Sequence, residues 1–291
     1  MIVLRKEKAA HAEAARGGFL ILDKPAGPSS HEVTAWVKKL YGEKAGHSGT
    51  LDPFAIGVLV VAVGKAVKLL QVLAKSDKEY IGVARFSGKP DEKQLSMAFK
   101  EFTGEIYQTP PKESAVRKVL RARNIHSLEL LEIEGDYVLF KVKCQHGTYV
   151  RTLVKDIGEV IGNAAKLVEL RRTRAGSFGE DEAVFLQDVA DANNKLGVLQ
   201  PMEALPIKKI VVGNKAVNAL AYGARLARPG VAALDEGIEK GETVMLLTSG
   251  GQLIGIARAE MASDEIAAAK TGFVASPLRI IMGRDLFPKW K

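Results

Sequence analysis

Cysteine is the scarcest residue of this chain, and its scarcity removes whole classes of function. Of 291 residues only Cys144 is a cysteine, so an internal disulfide and a zinc site built from several thiolates are both excluded. A single thiol suits a reducing compartment, and Cys144 is expected to pack as a small apolar residue. Long apolar runs are missing too. Val58 to Val63 falls far short of a membrane span, and the basic start (Arg5, Lys6, Lys8) continues into Ala, His and Glu instead of a signal-peptide core. A cytoplasmic protein with no membrane partner is the expectation. There is no long-period repeat and no low-complexity tract. Acids are in deficit, 34 against 42 Lys and Arg, for a formal net charge of +8. That balance suits a polyanionic partner, although basic surfaces also occur on proteins that never touch nucleic acid.

What is present is an ordinary globular composition, 47% hydrophobic and 26% charged, on a chain long enough for one large domain and one small one. Its most unusual stretch runs from Gly46 to Gly57, GHSGTLDPFAIG. One carboxylate, Asp52, lies there among residues that make tight turns: Gly46, Gly49 and Gly57 open backbone conformations closed to other residues, and Pro53 fixes the φ after the acid. The loop feeds straight into the apolar run from Val58. An acid held on a loop and anchored to a buried strand is a way to mount a reactive group on a rigid frame, and equally a plain turn starter.

Elsewhere the pattern is mixed. Phe19 to Leu22 reads as a short buried strand stopped by Asp23-Lys24-Pro25-Ala26-Gly27-Pro28. Ser29 and Glu32 form a capping box for a helix whose Val33, Trp36, Val37 and Leu40 are expected to face the core. Lys65 to Lys75 reads as a largely buried helix, Ile81 to Phe86 as a strand, and Asp91 as the cap of a helix reaching Phe102. Glu105 to Asn124, with Pro110, Pro111 and then Lys112, Arg117, Lys118, Arg121 and Arg123, is too basic for core and suits an anionic ligand or a solvated hairpin. Ile125 to Glu132 and Tyr137 to Cys144 form a hairpin about Gly135-Asp136. Arg151 sits at a strand-to-helix corner, Glu169 to Arg174 is extended, and Leu186 to Asn193 is helical. A proline-bounded linker, Gln200 to Pro206, precedes short strands and glycine turns that argue a small β-barrel-like module.

Several of these stretches occur in order in one known family. GFLILDKPAGPSSHEV, GHSGTLDP, KEYIG, QHGTYVRTLVKDIG and ELRRTRAG, followed by a carboxy-terminal module of the PUA type, resemble the TruB-like pseudouridine synthases. Within them the chain is most similar to the archaeal, dyskerin-like branch that works in H/ACA guide-RNA particles.

The resemblance implies an α+β fold: a catalytic domain over 19–204 with a central mixed or antiparallel sheet flanked by helices, and a PUA RNA-binding domain over 205–291. Residues 1–18 would form a basic extension packed beside the PUA domain. It implies isomerisation of uridine to pseudouridine in ribosomal RNA, with transfer RNA as a further substrate, and no cofactor or metal. Asp52 matches the catalytic carboxylate, Tyr80 the tyrosine that stacks on the target base, and Arg151 the arginine that pairs with the acid. His47 and Leu170 match residues of the substrate pocket. Lys24, Lys112, Arg117, Arg171, Arg172 and Arg174 are expected to grip RNA, and Lys215, Tyr222, Gly223 and Arg228 to hold the guide in the PUA domain. The partners implied are guide RNA, substrate RNA and the accessory proteins of the particle. A stand-alone tRNA pseudouridine synthase and a non-catalytic RNA scaffold stay open as alternatives.

Overall fold

The computed structural model describes residues 17–110, 117–192, 198–199 and 205–287. Two compact units divide the chain, one spanning Phe19–Val198 and the other holding the carboxy-terminal residues from Leu199 onward. Lys112 and residues 1–16 of the amino-terminal extension lie outside the described residues, while Gly17 and Gly18 open the first strand.

In the first unit the strands are β1 (Gly17–Lys24), β2 (Ala45–Ser48), β3 (Ile56–Gly64), β4 (Lys78–Phe86), β5 (Gly104–Gln108), β6 (Arg121–Glu134), β7 (Tyr137–Cys144), β8 (Ala165–Ala175), β9 (Phe178–Gly179) and β10 (Val198–Leu199). They join in one sheet in the order β10-β1-β3-β8-β4-β7-β6-β5, with β2 added on β3 and β9 on β8. Most pairs are antiparallel, whereas β3 and β8 run parallel. The expected mixed sheet is therefore present. Helices α1 (Ser30–Tyr41), α2 (Leu70–Leu73), α3 (Glu92–Glu101), α4 (Val150–Val160) and α5 (Leu186–Asp191) accompany it.

Local chemistry explains where the helices start. The Ser29 hydroxyl accepts from the Glu32 amide while the Glu32 carboxylate accepts from the Ser29 amide, and the Asp91 side chain accepts from the Gln94 amide. Two apolar cores hold the sheet. One gathers Leu20 and Leu22 of β1, Val33 and Val37 of α1 and Leu59, Val61 and Val63 of β3. The other packs Phe140 of β7 against Phe99 of α3 and Leu153, Val154 and Ile157 of α4. Each such side chain contributes roughly 1.5–3 kcal/mol on burial.

Two expectations fail. Trp36 has the spacing of a core residue but is 46% exposed, because α1 buries the narrower stripe of Ser30, Val33, Thr34 and Val37. Lys65 to Lys75 is not one helix: a 3₁₀ segment, Lys65–Leu69, gives way to the single turn of α2.

The second unit contains β11 (Lys209–Val212), α6 (Asn214–Ala221), β12 (Leu226–Ala227), β13 (Val231–Leu234), β14 (Thr243–Thr248), β15 (Leu253–Ala259), α7 (Ser263–Ala268) and β16 (Phe273–Ile280). Its sheet runs β12-β16-β15-β14-β11-β13 and curls into a barrel-like shape around Ile210, Val244, Leu246, Ile254 and Val274.

Candidate active site

The loop carrying Asp52 is closed by the antiparallel pairing of β2 with β3, which sets His47 opposite Val61 and Ser48 opposite Val60. Gly49, at φ +72°, starts the turn. Three anchors then tie the loop to the junction of β1 and α1. The Ser30 hydroxyl donates to the Leu51 carbonyl at 3.0 Å and accepts from the Leu51 amide at 2.8 Å. The Gly27 amide donates to the Pro53 carbonyl at 2.9 Å. Lys24, wholly buried, donates from Nζ to the carbonyls of Pro25, Pro53 and Ala55 at 2.8, 3.2 and 2.8 Å. Asp52 is thus mounted on a loop whose backbone is hydrogen-bonded on both sides of it.

Arg151 comes from the first turn of α4, and its Nη2 lies 2.5 Å from Asp52 Oδ2, with the guanidinium 6.0 Å from the centre of the Phe54 ring. Such charge-assisted contacts fix direction as well as distance. The pair borders a cavity of about 500 Å³ whose walls include Tyr80 of β4, Leu170 and Arg172 of β8, and Thr148 and Tyr149 before α4. Tyr80 and Leu170 are nearly buried, and burial pushes the Tyr80 phenol above its ordinary pKa, with Arg172 opposing the shift. A half-exposed carboxylate, an aromatic face and an apolar floor therefore meet at one opening.

His47 is placed differently from expectation. Its Nδ1 lies 2.8 Å from the Thr34 hydroxyl and its Nε2 3.2 Å from that of Thr50. Burial, with help from His31 and Arg172, pushes its pKa down to about 4. The cavity wall is formed instead by His31, whose ring meets that of His47 edge-on with centroids 4.8 Å apart. His31 is a residue that sequence reasoning passed over.

Among the described residues, the expected RNA-gripping cations separate into three kinds: exposed, buried and half-buried. Arg117 and Arg174 are exposed, and Arg174 Nη1 donates to the Ser177 carbonyl at 3.1 Å. Lys24 and Arg172, at 0% and 1% exposure, cannot reach a phosphate backbone. Arg172 donates from Nε to the Val58 carbonyl at 2.6 Å and from Nη1 to the Gly49 carbonyl at 2.9 Å. Arg171 is half-buried and held in ion pairs with Asp23 and Glu180 at 2.9 and 2.7 Å. Lys78 also lines the cavity. The missed signal is strand alternation: Arg172 follows Leu170 by two residues, so both face the same side of β8.

Within the second unit Lys215 is exposed, Gly223 adopts φ +91° with open space at its α-carbon, and Tyr222 is exposed with its hydroxyl donating to Asp285 at 2.8 Å. Arg228 is half-buried, its Nε donating to the Ile266 carbonyl.

The sequence profile of the TruB family pseudouridylate synthase N-terminal domain matches residues 38–94 and 83–150, and that of the tRNA pseudouridylate synthase B C-terminal domain matches 151–205. The chain belongs to the TruB family of pseudouridine synthases. It is therefore an RNA uridine isomerase, and residues 208–281 match the PUA domain. Its curated relatives include the probable tRNA pseudouridine synthase B of Pyrobaculum arsenaticum, 48% identical across 96% of this chain and 88% of the relative. That of Methanocaldococcus jannaschii is 44% identical across 94% and 86%. Among solved structures, a chain of a Cbf5-Nop10-Gar1 complex superposes with TM-score 0.84 at 40% identity, covering 94% of this chain and 87% of its own. A chain of an H/ACA RNP bound to a substrate RNA containing 2′-deoxyuridine does so with TM-score 0.84 at 39% identity, covering 94% and 88%.

Proposed function

We propose that this TruB-family chain is the catalytic subunit of an archaeal-type H/ACA guide-RNA particle, isomerising uridine in ribosomal RNA and working with accessory proteins. The observation that carries the chemistry is the Asp52–Arg151 pair at the mouth of a cavity walled by Tyr80 and Leu170. The particle reading is supported by the likeness to chains of Cbf5-Nop10-Gar1 and H/ACA assemblies across nearly the whole length.

In this reading the target uridine is turned out of its stack into the cavity, at a cost of roughly a few kcal/mol. Tyr80 stacks on its base, Leu170 lies beneath it, and Asp52 presents an ionised oxygen to the sugar and base as the C–N glycosidic bond opens. Arg151 holds that oxygen in line. Residues 19–204 carry the reaction. Residues 205–291 hold the guide RNA, with Lys215 contacting phosphate and the open turn at Gly223 letting a nucleotide backbone approach. The exposed Arg117 and Arg174 meet the substrate strand. A buried, unpaired Cys144 accords with the reducing cytoplasm.

The curated relatives are named for tRNA, which keeps a second reading in view, a stand-alone enzyme acting on tRNA. Tritium release from C5-labelled uridine separates the two. The particle reading predicts turnover of guide-paired RNA that requires the guide and accessory proteins, whereas comparable turnover of bare tRNA transcript by the protein alone would replace it with the stand-alone enzyme. Absence of release from every RNA would remove both.

A further inference from the structure

We infer that Arg172 is the cavity's receptor for negative charge on the detached base, donating a hydrogen bond from Nη2 to a carbonyl oxygen of the uracil. The inference rests on the reading that this cavity isomerises uridine, and it assigns a residue that the Asp52, Tyr80 and Arg151 set does not use.

Arg172 is 1% exposed, yet it forms part of the cavity wall. Two of its nitrogens are spent on backbone: Nε on the Val58 carbonyl and Nη1 on the Gly49 carbonyl. The third, Nη2, is buried and meets no acceptor in full hydrogen-bond geometry, the guanidinium's remaining side-chain interaction being with the Tyr80 hydroxyl in the cavity wall. Leaving a buried charged donor incompletely met is more costly than leaving a neutral one so. If its only task were to clamp the loop, the Nε and Nη1 bonds would suffice, and Nη2, held short of a full hydrogen bond beside the Tyr80 hydroxyl, would be a penalty. A ligand oxygen in the cavity removes that penalty.

The electrostatic setting points to an anion. Neither partner of Arg172 is a carboxylate, and the carboxylate of the cavity wall, Asp52, is engaged by Arg151. A second buried cation converges on the same place: a β-carbon built on Gly49 would lie 3.3 Å from Lys78 Cε and 3.5 Å from Arg172 Nη1. Lys78 Nζ is held by carbonyl oxygens of Ser76 and Leu73 and by the Ser76 hydroxyl. Burial first, and Arg172 next, push its pKa down to about 8. Two like charges in a poorly solvated corner raise each other's energy until an anion arrives, which is the arrangement that favours a charge developing in the reaction over one present beforehand.

The reaction makes such a charge. When the bond between C1′ and N1 breaks, its electron pair stays with the base and spreads over N1, O2 and O4, leaving the sugar carbon electron-poor opposite Asp52. Rejoining through C5 returns the pair to C1′, and a proton lost from C5 to solvent is balanced by one taken up from solvent at N1, which restores the neutral ring, so nothing is oxidised or reduced. Arg172 acts between those two events, while the base is free to turn and is most negative.

The test compares the wild-type particle with Arg172→Lys on guide-paired RNA carrying either uridine or 5-fluorouridine at the target, in single turnovers followed by nucleoside chromatography. Fluorine makes the base a better anion and lessens its need for a donor; because it also replaces the C5 proton whose loss ends the reaction, both substrates are followed by disappearance of the starting nucleoside, which reports cleavage of the C–N bond. The expected result is a loss of about 100-fold with uridine but only about tenfold with 5-fluorouridine, in the range seen when one oxyanion donor is removed, with RNA affinity by filter binding unchanged. An unchanged rate, or an equal loss on both substrates, would overturn the inference and leave Arg172 a loop clamp. Should Arg172→Lys not melt cooperatively, Lys78→Met decides by the same comparison: a loss smaller for 5-fluorouridine sustains the cationic corner, and equal losses refute it. Product from the wild type upholds the parent reading whichever way the variants fall, while no product from the wild type removes both.

Discussion

A β-carbon on Gly57 would lie 2.3 Å from the carbonyl oxygen of Arg172, and Gly57 has a φ of +97°, which side-chain-bearing residues rarely adopt. The parallel pairing of β3 with β8 at Gly57 and Arg172 thus depends on the missing side chain. Gly57→Ala is expected to destabilise the protein by more than about 2 kcal/mol, from backbone strain and overlap together. Thermal unfolding followed by circular dichroism checks this, and an unchanged midpoint would refute so close an approach.

Asp52→Asn keeps the volume of the side chain and removes its charge. Isomerisation should fall by at least about a thousandfold, as for other residues that act directly on a reacting centre, while filter binding of RNA stays as in the wild type. Normal turnover by the purified variant would sink the assignment of Asp52.

Arg151→Met removes the guanidinium 2.5 Å from Asp52. The expected loss is about a hundredfold in single-turnover rate, since a reactive oxygen displaced by an ångström forfeits about that much. A wild-type rate throughout pH 5 to 8 would count against the pairing.

Lys24→Met tests whether the Lys24 ammonium is a structural strut and not an RNA contact. Three carbonyls lose their donor, so stability should drop by about 2–4 kcal/mol. The salt dependence of RNA binding by the variant, measured below its melting temperature, should not change. Lys215→Met should do the opposite, leaving the midpoint alone and lowering the slope of log K against log salt by about 0.9.

His47 has a folded pKa of about 4 against an ordinary 6.5. Between those values the unfolded chain takes up the proton more readily, so stability is fully present above pH 6.5 and falls as the pH drops towards 4. The melting temperature should decline over that window, and decline less in His47→Gln. Parallel curves for the two proteins would show that His47 is not the group responsible.

Much of this structure was legible because local rules and tertiary packing agree. The Ser29–Glu32 capping box, the Asp91 cap and the hairpin at Gly135 are short-range signals, and each appears in the structure. So is the corner that brings Arg151 to Asp52, once the order of motifs is recognised. What misled was charge. Lys24 and Arg172 look like any other basic residues in a basic chain, yet both occupy inward positions of strands, Lys24 in the alternation Leu20, Leu22, Lys24 and Arg172 in step with Leu170. Alternation says which way a side chain points, and composition does not. Trp36 erred in the other direction: helical spacing placed it near the apolar stripe, but the stripe that α1 buries is too narrow to include it.

The Gly49 and Arg172 contact joins residues 123 positions apart. A ribosome delivers the acid-bearing loop early, together with the β1–α1 junction that anchors it, and delivers α4 and β8 only much later. Up to that moment a nascent chain holds its reactive carboxylate on a loop without the partner that aims it or the strand that braces it, and contacts of such long range are slow to form. Catalytic competence therefore requires α4 and β8 to be in place, and a chain ending before Val150 lacks both the partner that aims Asp52 and the strand that braces its loop.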